Sequence, residues 1–292
     1  MQLAVKCLTR SAIHFNAPTT TFWCKNDRSA GKVASEQSLL KPHSPAVMPL
    51  SATTKPSSEV AAILFELEAL GTASYKKVML NHGVREPMFG VKISELQKIR
   101  KRLKKQYELA LGLYATRNYD AMYLAGLIVD EKRMTQRDLQ HWLDTATHDP
   151  IASYVVSSVA AESDHGWELA LEWIASKDER TAASGWATLS ALVSIKPDSD
   201  LDLPKLRQLL QGVGKSLHQA RNDVSYAMNG FVIALGSFVA PLTQEALDMA
   251  ERIGRVSVDM GKTECKVPFA PDYIRKVQQM GRIGKKRKAA RC

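Results

Sequence analysis

Cysteine is scarce in this chain of 292 residues: Cys7, Cys24, Cys265 and Cys292 are all it has, two of them near the start and one at the last position. Thiols so scattered make no disulfide framework, and no pair has zinc-finger spacing. A reducing intracellular compartment is the expectation that follows. The seven histidines form no HExxH motif and no Cys/His cluster, so metal catalysis has no support and no cofactor is expected. No apolar run is long enough to span a bilayer, and no membrane partner is expected. No alternating segment bounded by hairpin turns occurs either, which argues against a β-sheet core.

Acid is nearly absent from both ends. Residues 1–58 carry seven Lys/Arg against two Asp/Glu, and residues 281–292 carry six against none, so the ends account for +5 and +6 of the net +10 and the body is close to −1. Within the body, Lys76 to Lys105 holds ten cations against Glu86 and Glu95, whereas residues 106–280 hold seventeen against twenty-three acids. This distribution predicts one basic helical region and two basic ends, and excludes a basic groove running the length of the molecule.

Residues 1–57 mix Ser, Thr, Pro and Lys with short apolar pieces and show no sustained period. The first acid is Asp27, a bias shared by organelle transit peptides, by disordered leaders, and by a start extended upstream of an initiator at Met48. From Ser58 onward apolar residues recur at helical spacing almost without a break. The spacing predicts helices over 58–70, 73–82, 94–106, 107–115, 120–129, 135–147, 150–162, 167–176, 178–194, 204–217, 224–239 and 243–253, with a short one over 272–280. Helices of this length joined by short polar turns point to an all-α fold. We expect an α-solenoid of HEAT-like helical pairs over 58–256, an armadillo-type superhelix, with 257–292 as a C-terminal extension. The closing Arg282, Lys285, Lys286, Arg287, Lys288 and Arg291 read as a solvated tail, a nuclear-targeting signal or a set of phosphate contacts.

Gly90 to Lys105, GVKISELQKIRKRLKK, joins a Gly-Val turn to Ser94-Glu95-Leu96-Gln97, which has the pattern of a capping box. Leu96, Ile99 and Leu103 form an apolar stripe opposite Lys98, Lys101, Arg102 and Lys105. Four cations on one face suit successive phosphates as well as plain solvent. This opening motif, with Leu169 to Ser176 (LALEWIAS) and Met228 to Val232 (MNGFV), resembles the DNA alkylation repair family, helical-repeat relatives of the alkylpurine DNA glycosylases.

The resemblance implies a specific chemistry. An alkylated purine already carries positive charge, so its excision chiefly needs a carboxylate to stabilise the oxocarbenium-like sugar and aromatic faces for the cationic base. In the family's active glycosylases these are a Trp and an Asp one helical turn apart, a second Trp on a later helix, and supporting Arg residues. The matching positions here are Asp149, Ser153 and Phe231, with Ala183 and Ala234 where Arg is expected. An Asp directly before Pro150 also reads as a helix N-cap. Phe231 reads as a groove aromatic or as core.

Other motifs offer less. Gly212 to Ser216 (GVGKS) lacks the leading Gly of a P-loop and lies in an amphipathic helix, so nucleotide binding is rejected. Trp173 and Trp186 fall on apolar stripes and are expected to be buried. Cys265 is a lone thiol near Lys262 and Lys266, with no base beside it. The function expected is binding of DNA or another polyanion through Lys98, Lys101, Arg102, Lys105, Lys285, Lys286, Arg287 and Lys288, without standard glycosylase chemistry. Two alternatives stand beside it: an active alkylpurine DNA glycosylase using a displaced carboxylate such as Asp149, and a helical-repeat scaffold that binds an acidic protein.

Overall fold

The structure is a computed structural model that describes residues 57–261 and 265–291; the predicted leader, apart from Ser57, lies outside the described residues. Among the described residues thirteen α-helices follow one another: α1 (Ser58–Leu70), α2 (Ala73–Asn81), α3 (Ile93–Leu103), α4 (Tyr107–Ala115), α5 (Tyr119–Ile128), α6 (Gln136–Thr145), α7 (Ser157–Glu162), α8 (Gly166–Ile174), α9 (Glu179–Ile195), α10 (Leu203–Ser216), α11 (Asn222–Phe238), α12 (Thr243–Ile253) and α13 (Ala270–Gln279). No strand occurs among the described residues, and no single helix there is long and apolar enough to cross a membrane.

The periodicity that predicts these helices also explains their pairing. From α4 onward the even-numbered helices form an outer row, while the odd-numbered ones line a groove to which α4, α6, α8, α10 and α12 contribute nothing. Buried stacking ties the outer row together. Tyr114 of α4 lies flat on Trp142 of α6 at 4.1 Å and donates its hydroxyl hydrogen to the Trp142 carbonyl at 2.6 Å, and Trp173 of α8 donates from Nε1 to Gln140 at 2.7 Å. Inner helices approach closely where glycine permits. A Cβ at Gly126 of α5 would lie 2.2 Å from Val155, closer than any real contact allows.

The turn before α3 is held differently from its sequence signature. Ser94 and Gln97 form no capping box: α3 starts at Ile93 behind Lys92, with no side-chain cap. Instead the buried Asp120 carboxylate accepts from three successive amides, Phe89 at 2.6 Å, Gly90 at 3.0 Å and Val91 at 3.0 Å. Gly90 sits at φ +82°, and a Cβ there would meet the Lys76 backbone at 2.8 Å, so only glycine fits. A capping box does form at Thr135 and Asp138, opening α6.

Residues 149–162 also depart from a plain helix, because a π-helical stretch, Ile151–Val156, precedes α7. Asp149 lies within the first turn and its side chain caps nothing; its carboxylate goes to Arg180 instead.

The largest departure is the basic tail, which is neither extended nor solvated. After α13, packed on α11 and α12, the chain runs back along the C-terminal ends of four inner helices. Gly284 N–H donates to the Ser237 carbonyl of α11 at 3.0 Å. Arg287 N–H and Lys286 Nζ take the Ser194 and Val193 carbonyls of α9 at 2.7 and 2.8 Å. Glu162, ending α7, accepts from Ala290 N–H at 2.6 Å and from Arg291 N–H at 3.0 Å. Arg291 also donates to the Gly126 and Val129 carbonyls at the end of α5, and pairs with Glu131 at 2.5 Å and Glu162 at 2.6 Å. Helix C-termini leave carbonyls unpaired and carry partial negative charge, so a strap of cations across them satisfies both demands.

The Arg291 side chain is 7% exposed, between carboxylates 11% and 12% exposed. Breaking a buried pair leaves charge uncompensated, so Arg291→Met should lower unfolding free energy by about 3 kcal/mol in urea titration. A solvated tail would give no change.

Candidate nucleic-acid interface

The inner helices enclose a groove of about 800 Å³. Small side chains make its floor: Ala183 and Ala187 on α9, and Ala227, Gly230 and Ala234 on α11. Ala183 and Ala234, the positions where the resemblance expects Arg, therefore do line this groove. Around the floor stand tyrosines, Tyr75 on α2, Tyr119 and Tyr123 on α5, Tyr154 in the π-helical stretch, Tyr226 on α11 and Tyr273 on α13. Burial raises the phenol of Tyr154 far above its ordinary value, and pushes those of Tyr123 and Tyr226 up to about 12. These rings stay neutral near neutral pH.

Charge at the centre is paired or strained. Arg180 donates from Nε to Asp149 Oδ1 at 2.9 Å and from Nη1 to the Ala146 carbonyl at 2.8 Å. Asp223, from α11, faces the same pair. Burial, together with the Asp149 and Glu179 charges, pushes its carboxyl up against the hydrogen bond from Asn222. Ser153, where the resemblance expects the acid, lines the groove and donates its hydroxyl hydrogen to the Asp149 carbonyl at 2.7 Å. Beside them His148 Nε2 accepts from Arg85 N–H at 2.9 Å, leaving Nδ1 to Thr147 at 2.8 Å. Burial lowers the His148 pKa, consistent with a neutral ring.

Phe231 does not reach the groove. It is fully buried, its ring 5.2 Å from that of Trp186, and so is core rather than groove aromatic. The groove-facing aromatic of α11 is Tyr226, five residues earlier. Tyrosines on separate helices have no shared motif in the sequence, and only the superhelix aligns them.

Of the eight cations expected to meet phosphate, several are held by the protein. Lys98 pairs with Glu95 at 2.9 Å and Arg102 with Glu66 at 2.5 Å. Lys105, beyond the end of α3, pairs with Asp130 at 3.3 Å and Glu131 at 2.5 Å. Burial opposes ionisation of Glu131, but Lys105 and Arg291 together hold its carboxyl below the usual range. Lys286 pairs with Asp198 at 2.7 Å, and burial lowers both the Lys286 and the Arg287 pKa. Lys101, Lys285 and Lys288 are exposed and make no ion pair among the described residues. The same holds for Arg85 and Lys276, which line the groove. Among the described residues no group of three His, Cys, Asp or Glu side chains is placed to hold a metal. GVGKS lies in α10, as its amphipathic spacing predicts.

Residues 63–261 match the family of DNA alkylation repair enzymes. An uncharacterised protein of Listeria innocua is 32% identical over 219 residues, which is 73% of this chain and 94% of that protein. An uncharacterised protein of Listeria monocytogenes matches with the same identity and the same shares. A solved structure shares 35% identity at a TM-score of 0.75, covering 80% of this chain and 99% of its own. It is described as a new family of proteins related to the HEAT-like repeat DNA glycosylases with affinity for branched DNA structures.

The raised carboxyl of Asp223, set chiefly by burial, has a measurable consequence. A carboxyl raised by folding favours the fold while protonated and loses that advantage as pH rises through its folded value. Asp223→Asn should therefore raise the urea midpoint at pH 7, and the gain should vanish at about pH 3. A gain that persists unchanged at low pH would show that Asp223 is not under charge stress.

Proposed function

The chain belongs to the DNA alkylation repair enzyme family, and on that premise we propose that it binds DNA in its tyrosine-lined groove, preferring branched structures, without excising bases. The observation that carries the second half is the replacement at the groove's centre. Ser153 occupies the acid position, Ala183 and Ala234 occupy the Arg positions, and all three line the groove. A hydroxyl cannot place negative charge beside an oxocarbenium-like sugar, and alanines cannot orient a phosphate. Asp149 is the nearest substitute, and Arg180 neutralises it.

Binding is supported by the exposed cations Arg85, Lys276 and Lys285, which line the groove and make no ion pair among the described residues. These meet phosphates without base preference. The preference for branches rests on the solved relative, whose description gives it affinity for branched DNA.

Two measurements test this. Methylated duplex incubated with the protein should release no 3-methyladenine or 7-methylguanine above background, with an active family member as positive control. Release abolished by Asp149→Asn in a folded protein would instead establish the displaced-acid glycosylase. In mobility shifts, a four-way junction should bind more tightly than a linear duplex of equal length. Arg85→Glu with Lys285→Glu should weaken junction binding by about tenfold at moderate salt and flatten its salt dependence. Unchanged binding in that double variant would remove Arg85 and Lys285 from the interface.

A further inference from the structure

Resting on the DNA-binding reading above, we propose that the groove holds unpaired bases on its row of tyrosines, so that it reads the open centre of a branched DNA and not its duplex arms. Five rings carry the argument: Tyr75, Tyr123, Tyr154, Tyr226 and Tyr273, each half-buried and each from a different element. Neighbouring members are within electrostatic reach of one another: Tyr123 of Tyr75, Tyr154 of both Tyr123 and Tyr226, and Tyr226 of Tyr273.

Their hydroxyls set them apart from the tyrosines of the outer row. Tyr107 donates to Asp138 at 3.0 Å and Tyr114 to the Trp142 carbonyl at 2.6 Å. None of the five groove hydroxyls has a hydrogen-bond partner among the described residues, although each opens into the groove. Rings and hydroxyls both open to the groove suit a ligand with an aromatic face and polar edges. Nucleobases have both.

Charge placement decides how the nucleic acid is oriented. The exposed cations Arg85, Lys276 and Lys285, which make no ion pair among the described residues, line the groove together with the tyrosines. Phosphate is therefore drawn to these cations and not to the neutral rings. A duplex presents phosphate on its outside and keeps its bases stacked within, so it cannot set base faces on this floor. Unpaired nucleotides can, with their bases turned onto the rings and their backbone toward the cations. A groove of about 800 Å³ has the size of a pocket for a few rings, not for a duplex arm.

The test compares three DNAs by fluorescence anisotropy at fixed salt: a three-way junction with unpaired thymines at its centre, the same junction fully paired, and a linear duplex. The parent should prefer the first. Tyr154→Leu and Tyr226→Leu should each lower affinity for it by about tenfold while leaving the linear duplex unchanged. With 2-aminopurine at an unpaired position, the parent should change the probe's emission on binding and the variants should not. Tyr273→Leu serves if either variant fails to fold by circular dichroism. The proposal is overturned if the folded variants bind all three DNAs as the parent does, or if they lose duplex and unpaired-junction affinity equally. A parent that binds none of the three overturns the DNA-binding reading itself, an outcome distinct from these.

Discussion

The guanidinium of Arg291 is the constraint on which the arrangement turns. It sits between Glu131 and Glu162 and also reaches two carbonyls at the end of α5, so one side chain joins the close of the chain to two inner helices. Inner helices packed side by side in a solenoid present a row of C-terminal carbonyls along one edge. That edge carries unpaired acceptors and partial negative charge. Lysines alone would answer the charge, but the geometry here needs backbone donors as well, and the segment from Gly284 to Arg291 supplies both. Glu131 extends the link to Lys105, so the two most basic stretches of the chain meet on one carboxylate.

This use of cations shapes what is left for a ligand. Charge that the composition offers to a polyanion is partly spent inside the protein, on helix ends and buried acids. The cations without ion pairs that line the groove are Arg85, Lys276 and Lys285. With them stand six tyrosines around a floor of small side chains, and Asp149 paired to Arg180. Such a surface suits sequence-independent contacts with bases and phosphates.

The fold was largely legible in the sequence, and the site was less so, for physical reasons. Apolar spacing located the helices to within a few residues because each must bury one face against its neighbours. Ser94 and Gln97 fit the capping pattern, yet the turn is held by Asp120, a residue some thirty positions away that no local pattern connects to it. The π-helical stretch at Ile151–Val156 has no local signature. Asp149, Ser153, Ala183 and Ala234, mapped by resemblance, line the groove, whereas Phe231, expected as a groove aromatic or as core, faces the core and Tyr226 lines the groove instead. The terminal cations looked solvated because the groups they meet, Glu131, Glu162 and Asp198, are scattered through the preceding sequence.

Whether the groove or the outer basic helix meets DNA is decided most directly by ultraviolet crosslinking. A three-way junction carrying 5-iodouracil at its unpaired centre would be irradiated with the full-length protein, and the attached peptides identified by mass spectrometry. This account predicts attachment to peptides containing Tyr123, Tyr154 or Tyr226. Crosslinks confined to residues 98–105, with none in the groove, would contradict it.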